Sequence, residues 1–179
     1  MFLSSEIPPF LIVTALGVKK LYAVTAVKDP VREELARKLG ADEVLVLEES
    51  GPQAVTELLQ KENGGLGVDL CFEASGAPAA VPQGIEVLRN RGVYLIPGQY
   101  SNSGGITIQP QMITFKALQI IGSSQYSMAD VREYLAFLCA HPECHDTIRA
   151  LGSCYPVEQV NQAFADAEAG KNIKTLLVN

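Results

Sequence analysis

Short continuous apolar runs alternate with segments of helical spacing along most of this chain, and that alternation restricts it to α/β folds with a parallel sheet covered on both faces. The runs are Leu21–Thr25, Val44–Leu47, Val68–Phe72, Val93–Ile96, Leu118–Gly122 and Thr175–Val178, with a shorter one at Ile106–Ile108. Between them, Val31, Leu35 and Leu39 share one helical face, and Ala54, Val55, Leu58 and Leu59 share another. Further helices are expected from Ala79 to Leu88, after Ser127, and from Pro156 to Glu168.

Local signals punctuate these segments. Asp29 followed by Pro30 reads as an N-cap and first helical position, and Gly40 as the glycine that stops the same helix. Ser127 with Asp130 three residues on is a capping-box arrangement. Asn63-Gly64-Gly65 and Asn90-Arg91-Gly92 read as turns, and residues 101–115 as a looser region. With no internal repeat or linker, residues 1–179 are expected to form one domain.

Composition narrows the function classes. Hydrophobic residues make up 47% and charged residues 19%, so the chain has the makings of a real core. A net charge of −6 without any basic cluster argues against nucleic acid or an anionic membrane as partner. The longest apolar stretch, Ile7–Leu16, is too short to span a bilayer, contains Pro8 and Pro9, and lacks signal-peptide flanks, so a cytoplasmic location is expected. Cys139, His141, Cys144, His145 and Cys154 lie close in sequence. They lack paired zinc-ligand spacing and fall on both helical and extended segments, so reduced thiols are the better reading, and no metal site is assigned.

Small and polar residues collect at the carboxyl ends of the expected strands: Thr25, Glu73-Ala74-Ser75-Gly76, Gly98-Gln99 and Gly122-Ser123-Ser124. Open parallel sheets bind ligands beyond those ends, where glycines allow backbone to approach a ligand. Each glycine alone is equally well explained as a turn residue; their repetition points to a cofactor crevice.

Several motifs then resemble one family in order and spacing, over about residues 10–179. They are Leu16-Gly17-Val18-Lys19-Lys20-Leu21, Glu34-Leu35-Ala36-Arg37-Lys38-Leu39-Gly40-Ala41-Asp42, and Gly67-Val68-Asp69 leading into Phe72-Glu73-Ala74-Ser75-Gly76-Ala77. Leu88-Arg89-Asn90-Arg91-Gly92, Pro97-Gly98, Ile121-Gly122-Ser123, Pro156–Phe164 and Gly170–Thr175 continue the series. This pattern resembles the medium-chain, zinc-type alcohol dehydrogenases. The resemblance implies a Rossmann-like, mainly parallel, doubly wound domain that binds NAD or NADP, here with its first strand and glycine-rich loop truncated.

In that family a GroES-like domain carries the catalytic zinc, and nothing in this sequence resembles it, so zinc is expected only in that missing domain. The G-x-G-x-x-G fingerprint is expected at Met1–Glu6, where no glycine occurs, and the first strand has no sequence left to form it. Residues 1–9 thus read as an atypical N-terminus. Glu6 would bring negative charge to the phosphates, and Pro8 and Pro9 remove backbone donors, so cofactor binding is expected to be weak or lost. The cofactor-contacting residues implied by strand-end position or by the resemblance are Thr25, Lys28, Glu73, Ser75, Gly76, Gly98, Gln99, Ser123 and Lys174. Lys28 could face a 2′-phosphate, whereas Asp29 is better placed as a cap than on the adenosine ribose. Lys174 matches a basic position near the pyrophosphate, and Gln125 stands near one where many relatives are basic.

The expectation is therefore a cofactor-binding domain of an NAD(P)-dependent oxidoreductase, inactive on its own and completed, if at all, by a separate catalytic domain. The alternative is a non-catalytic assembly module that keeps the Rossmann shell. No nucleophile elbow or nucleophile–base pair supports an autonomous enzyme. The family's dimer contact implies a homodimer through the edge strand Leu118–Gly122.

Overall fold

The computed structural model describes residues 2–3, 8–99 and 101–179. The chain divides into two compact units, Met1–Tyr126 and Ser127–Asn179, where the sequence suggests one domain.

The first unit is built on six parallel strands. In chain order its elements are β1 (Phe2–Leu3), α1 (Pro8–Ala15), β2 (Tyr22–Thr25), α2 (Pro30–Lys38), β3 (Glu43–Val46), α3 (Leu47–Ser50) and α4 (Pro52–Gly65). Then follow β4 (Val68–Glu73), α5 (Ala80–Val87), β5 (Leu88–Ile96), α6 (Pro110–Lys116) and β6 (Gln119–Gly122). The strand order is β3-β2-β1-β4-β5-β6, so the direction of winding reverses at β1.

The first strand corrects the sequence reading. Two residues suffice to form it: Phe2 pairs with Ala23 and Phe72, and Leu3 with Val24 and Glu73. A strand held by neighbours on both sides needs little length of its own, because its partners supply the order. Ser4, Ser5, Glu6 and Ile7 lie outside the described residues, so the expectation that Glu6 faces the phosphates falls there too.

Several local signals act as read. Asp29 caps α2, its Oδ1 accepting from the amides of Val31 and Arg32 at 3.1 Å each. Gly40 takes a positive φ of 99°, and a Cβ there would lie 2.9 Å from Thr14 Oγ1, so the position needs glycine for packing as well as for its backbone. The helix α4 loses helical geometry at Glu62–Gly64, where the turn is expected.

Three expectations are overturned. Ile106–Ile108 forms no strand, for no neighbour offers it a ladder. Within the looser region, Pro110 opens the unanticipated helix α6, which ends at a left-handed Ala117. Lys116 at its end donates to the carbonyls of Ile85, Glu86 and Leu88 at 3.0, 2.7 and 2.8 Å, closing the exposed acceptors at the end of α5. The turn at Asn90-Arg91-Gly92 lies inside β5 as a bulge: Val68 pairs with Leu88, but Leu70 with Val93, and Arg91 adopts a φ of 59°.

The core joins β2, β4 and β5 to α4 and α5 through Tyr22, Val24, Val55, Leu59, Cys71, Ile85, Val87, Leu88 and Tyr94. Gly84 of α5 lets the Tyr94 ring pass beneath the helix, where a Cβ would overlap it, and the Tyr94 hydroxyl donates to Ala80 O at 3.0 Å.

The second unit holds α7 (Met128–Ala140), α8 (His145–Ala150), β7 (Gly152–Pro156), α9 (Val160–Glu168) and β8 (Lys174–Val178). Ser127 and Asp130 form the expected capping box on α7. The strands β7 and β8 pair in parallel as a sheet of their own. Tyr155 donates to Asp166 Oδ2 at 3.1 Å and accepts from Asn172 at 3.0 Å, tying β7 to α9 and to the loop before β8. Among the described residues no helix is long and apolar enough to cross a membrane.

Candidate functional site

The carboxyl ends of β4 and β5 converge on one buried side chain. Glu73, the last residue of β4, is completely buried. Its Oε1 accepts from the Ser75 amide at 2.7 Å, the Ser75 hydroxyl at 2.5 Å and the Gly76 amide at 3.0 Å, while Oε2 accepts from Gln99 Nε2 at 3.0 Å. Four donors replace the water that a carboxylate loses on burial, and this makes its position affordable. Ser75 Oγ also accepts from the Ala77 amide at 3.1 Å, and Gln99 Nε2 donates to Ala77 O at 3.2 Å. Five of the nine expected site residues therefore form one cluster: Glu73, Ser75, Gly76, Gly98 and Gln99.

The glycines of this cluster answer to the protein's own chain. A Cβ on Gly98 would lie 2.6 Å from Glu73 Oε2 and 2.8 Å from the Ala74 backbone, and one on Gly76 would lie 2.8 Å from Gly98 O. Gly76 also needs its positive φ of 69°. Their immediate role is to let two strand ends pack together, the role the sequence could not separate from close approach to a ligand. The result is a fixed backbone floor at the point where the sheet's winding reverses.

The other expected residues stand apart from the cluster. Thr25 ends β2 and donates its hydroxyl to Val27 O at 3.1 Å. Lys28 pairs through Nζ with Glu49, and its amide donates to Glu48 Oε2 at 3.1 Å. The Glu49 carboxylate holds the Lys28 ammonium above the usual lysine range. Asp29 is engaged by the helix it caps and by Arg32, whose Nε lies 3.1 Å from Oδ2. Ser123 is exposed just past β6, its amide donating to Ile96 O at 3.3 Å, and Gln125 is exposed nearby. Lys174 belongs to the second unit, where its amide donates to Leu151 O at 3.2 Å. Pro8 and Pro9 open α1, so its first two positions carry no N–H.

The cysteines are all free, Cys71 and Cys144 buried, Cys139 and Cys154 exposed. His145 Nε2 lies 2.8 Å from Leu138 O, and His141 Nδ1 lies 2.8 Å from Glu143. Among the described residues no group of His, Cys, Asp or Glu side chains is gathered for a metal.

A parallel sheet of order 3-2-1-4-5-6 with a backbone floor at its switch point defines the Rossmann class of dinucleotide-binding folds. The chain belongs to the zinc-binding dehydrogenase family, whose profile matches residues 11–140. It is 26% identical over 167 residues to 5-exo-hydroxycamphor dehydrogenase of Pseudomonas putida, covering 93% of this chain and 46% of that protein. It is 32% identical over 164 residues to D-xylulose reductase A of Aspergillus oryzae, covering 91% of this chain and 44% of that one. The fold matches a putative zinc-binding dehydrogenase of Sinorhizobium meliloti, solved bound to NADP, with a TM-score of 0.81 at 18% identity, covering 99% of this chain and 51% of the other. The chain thus spans about half the length of the relatives it matches.

Proposed function

We propose that this chain is the cofactor-binding half of an NAD(P)-dependent, zinc-type alcohol dehydrogenase-like oxidoreductase and that it is catalytically inactive alone. Its reaction, once completed, is hydride transfer between an alcohol carbon and the nicotinamide ring. Zinc, held by residues outside this chain, would act as the Lewis acid on the alcohol oxygen. The observation that carries the reading is the Glu73–Gln99 floor at the switch point of a 3-2-1-4-5-6 sheet, in a chain of this family. Glu73, Ser75, Gly76, Gly98 and Gln99 shape that floor for the cofactor. Thr25, Lys28 and Ser123 lie at or just past the carboxyl ends of other strands of the same sheet. Calorimetric titration with NAD+ and NADPH tests the binding, and an alcohol-oxidation assay with zinc and either cofactor tests the inactivity. Zinc-dependent turnover by the chain alone would refute the second half of the proposal.

The second reading, a non-catalytic assembly module, is favoured by the groups already spent within the chain: Lys28 on Glu49, Gly76 on the Gly98 carbonyl, and Gly98 on Glu73 and the Ala74 backbone. Absence of binding of either cofactor at several times the millimolar range would select it.

A further inference from the structure

The Gln99 amide has a fixed polarity. Its Nε2 lies 3.0 Å from Glu73 Oε2 and 3.2 Å from Ala77 O. Ala77 O also accepts from the Ala80 amide at 3.0 Å, at the start of α5, and a carbonyl oxygen can only accept. Turning the amide over would set Oε1 against two oxygens and take the donor away from both. Both Nε2 hydrogens are therefore engaged within the chain, and the group Gln99 has left to offer is the acceptor Oε1. Among the described residues no group donates to it.

Glu73 sets this polarity through its own contacts. Its Oε1 is filled by the Ser75 amide and hydroxyl and by the Gly76 amide, which leaves Oε2 for Gln99. Glu73 is completely buried, whereas Gln99, just past β5, is half-buried. A buried acid thus holds one face of an amide whose other polar atom is still free to take a donor.

The place in the sheet selects the donor. A sheet of this order is wound in two mononucleotide-binding halves, and the phosphate turn and ribose-binding strand end of β1 to β3 serve the adenosine side. β4 and β5 belong to the other half, which in a nicotinamide dinucleotide is the nicotinamide riboside. Its hydrogen-bond donors are the carboxamide N–H groups and the ribose hydroxyls, all neutral. A phosphate offers acceptors alone and finds no partner in an amide oxygen.

We propose that Gln99 Oε1 accepts a hydrogen bond from the nicotinamide riboside half of the bound dinucleotide, and that Glu73 is the positioning residue that fixes the amide in that sense. The proposal rests on the cofactor-binding reading above and adds to it which atom discriminates between ligands, and why.

The test titrates NAD+ into the isotopically labelled chain and follows backbone and side-chain amides by NMR, in the parent, in Gln99→Met and in Glu73→Gln. Gln99→Met keeps the length of the side chain and removes the acceptor; it is expected to weaken NAD+ binding about three- to tenfold. Glu73→Gln keeps the shape of the acid, but its amide oxygen is claimed by Ser75 and Gly76, so its NH2 faces Gln99 and draws the Gln99 oxygen inward. A similar loss is expected there, with the Gln99 side-chain resonances displaced before any ligand is added. ADP, which ends at the pyrophosphate, is expected to bind the parent and both variants alike, a result that a merely structural role of either residue would not give. Acetylpyridine adenine dinucleotide, which lacks the carboxamide N–H groups, separates the two donors. A parent preference for NAD+ over this analogue that vanishes in Gln99→Met assigns the contact to the carboxamide, and a parallel loss for both ligands assigns it to the ribose. NAD+ affinity in Gln99→Met within about twofold of the parent, or ADP affinity falling in step with it, overturns the proposal. Full NAD+ affinity in folded Glu73→Gln overturns the role of Glu73. NAD+ shifts confined to β2 and β3 overturn this proposal alone, whereas the absence of any NAD+-dependent shift overturns the cofactor reading together with it.

Discussion

Gly98 is locked onto Glu73: its amide donates to the Glu73 carbonyl at 2.9 Å, and a Cβ at Gly98 would stand 2.6 Å from the Glu73 carboxylate. The contact joins the ends of two parallel strands through a buried acid whose oxygens are held by Ser75, Gly76 and Gln99. Gly98→Ala must push the Ala74 backbone or break the carboxylate from its donors. An overpacked, unyielding site of this kind costs about 2–3 kcal/mol. Urea unfolding is expected to show that loss as a lower midpoint at unchanged slope. A midpoint within error of the parent would mean that the strand ends part freely.

The end of β2 bears on the choice between NAD+ and NADP+. Lys28 is the cation nearest in sequence to that end, and it is paired with Glu49, with Glu48 on its amide and Asp29 next in sequence. A 2′-phosphate placed there meets more carboxylate than ammonium. NAD+ is therefore expected to bind more tightly than NADP+, with a dissociation constant near or above about 1 mM because Pro8 and Pro9 strip donors from the start of α1. Glu49→Gln frees Lys28 and should narrow the preference. Calorimetry giving tighter binding of NADP+ to the parent chain would contradict this, and micromolar affinity for either cofactor would contradict the weak phosphate side.

The thiols should divide by burial. Cys71 is fully buried beside Tyr94, and desolvation pushes its thiol up to about 12; burial raises Cys144 as well. Only a thiolate reacts readily, so at pH 8 the folded chain should give two fast thiols with an aromatic disulfide reagent, Cys139 and Cys154, and four once unfolded. Peptide mapping of early-labelled protein checks the assignment. Label on Cys71 before unfolding would place that part of the sheet in easy exchange with solvent.

What was legible in the sequence was local. Asp29 and Ser127 were readable as caps because the amides they hold lie two and three residues away. That Glu73, Ser75, Gly76, Gly98 and Gln99 lie together follows from their places at the ends of β4 and β5, which composition marks as strand ends. What escaped depends on distant partners. Phe2–Leu3 is a strand only because Ala23 and Phe72 flank it, and no window of sequence contains all three. Ile106–Ile108 has strand composition but no ladder to join. The bulge in β5 turns on the pairing of Leu70 with Val93, across more than twenty residues. The glycines show the same limit in reverse: position marked Gly98 correctly as special, but only geometry shows that its nearest obligation is to Glu73.

The last prediction concerns association. The strand β6 ends the sheet order, pairing with β5 from Val93 with Gln119 through Ile96 with Gly122 and meeting no strand on its other side among the described residues. All four of its residues are exposed, including Ile120 at 38% and Ile121 at 44%. It carries no proline and no charge, the usual means of discouraging edge pairing. Two such edges satisfy each other's backbone groups when related by a twofold axis, which brings the same residues together from both copies. The chain is therefore expected to form a homodimer through Leu118–Gly122. Ile120→Lys should weaken it, since like charges then meet across the axis, and should leave a monomer at tens of micromolar or, where the apolar edge stays exposed, insoluble protein. Light scattering on the parent chain decides the matter. A monodisperse monomer at that concentration rejects the dimer, and a dimer that survives Ile120→Lys places the contact on another face.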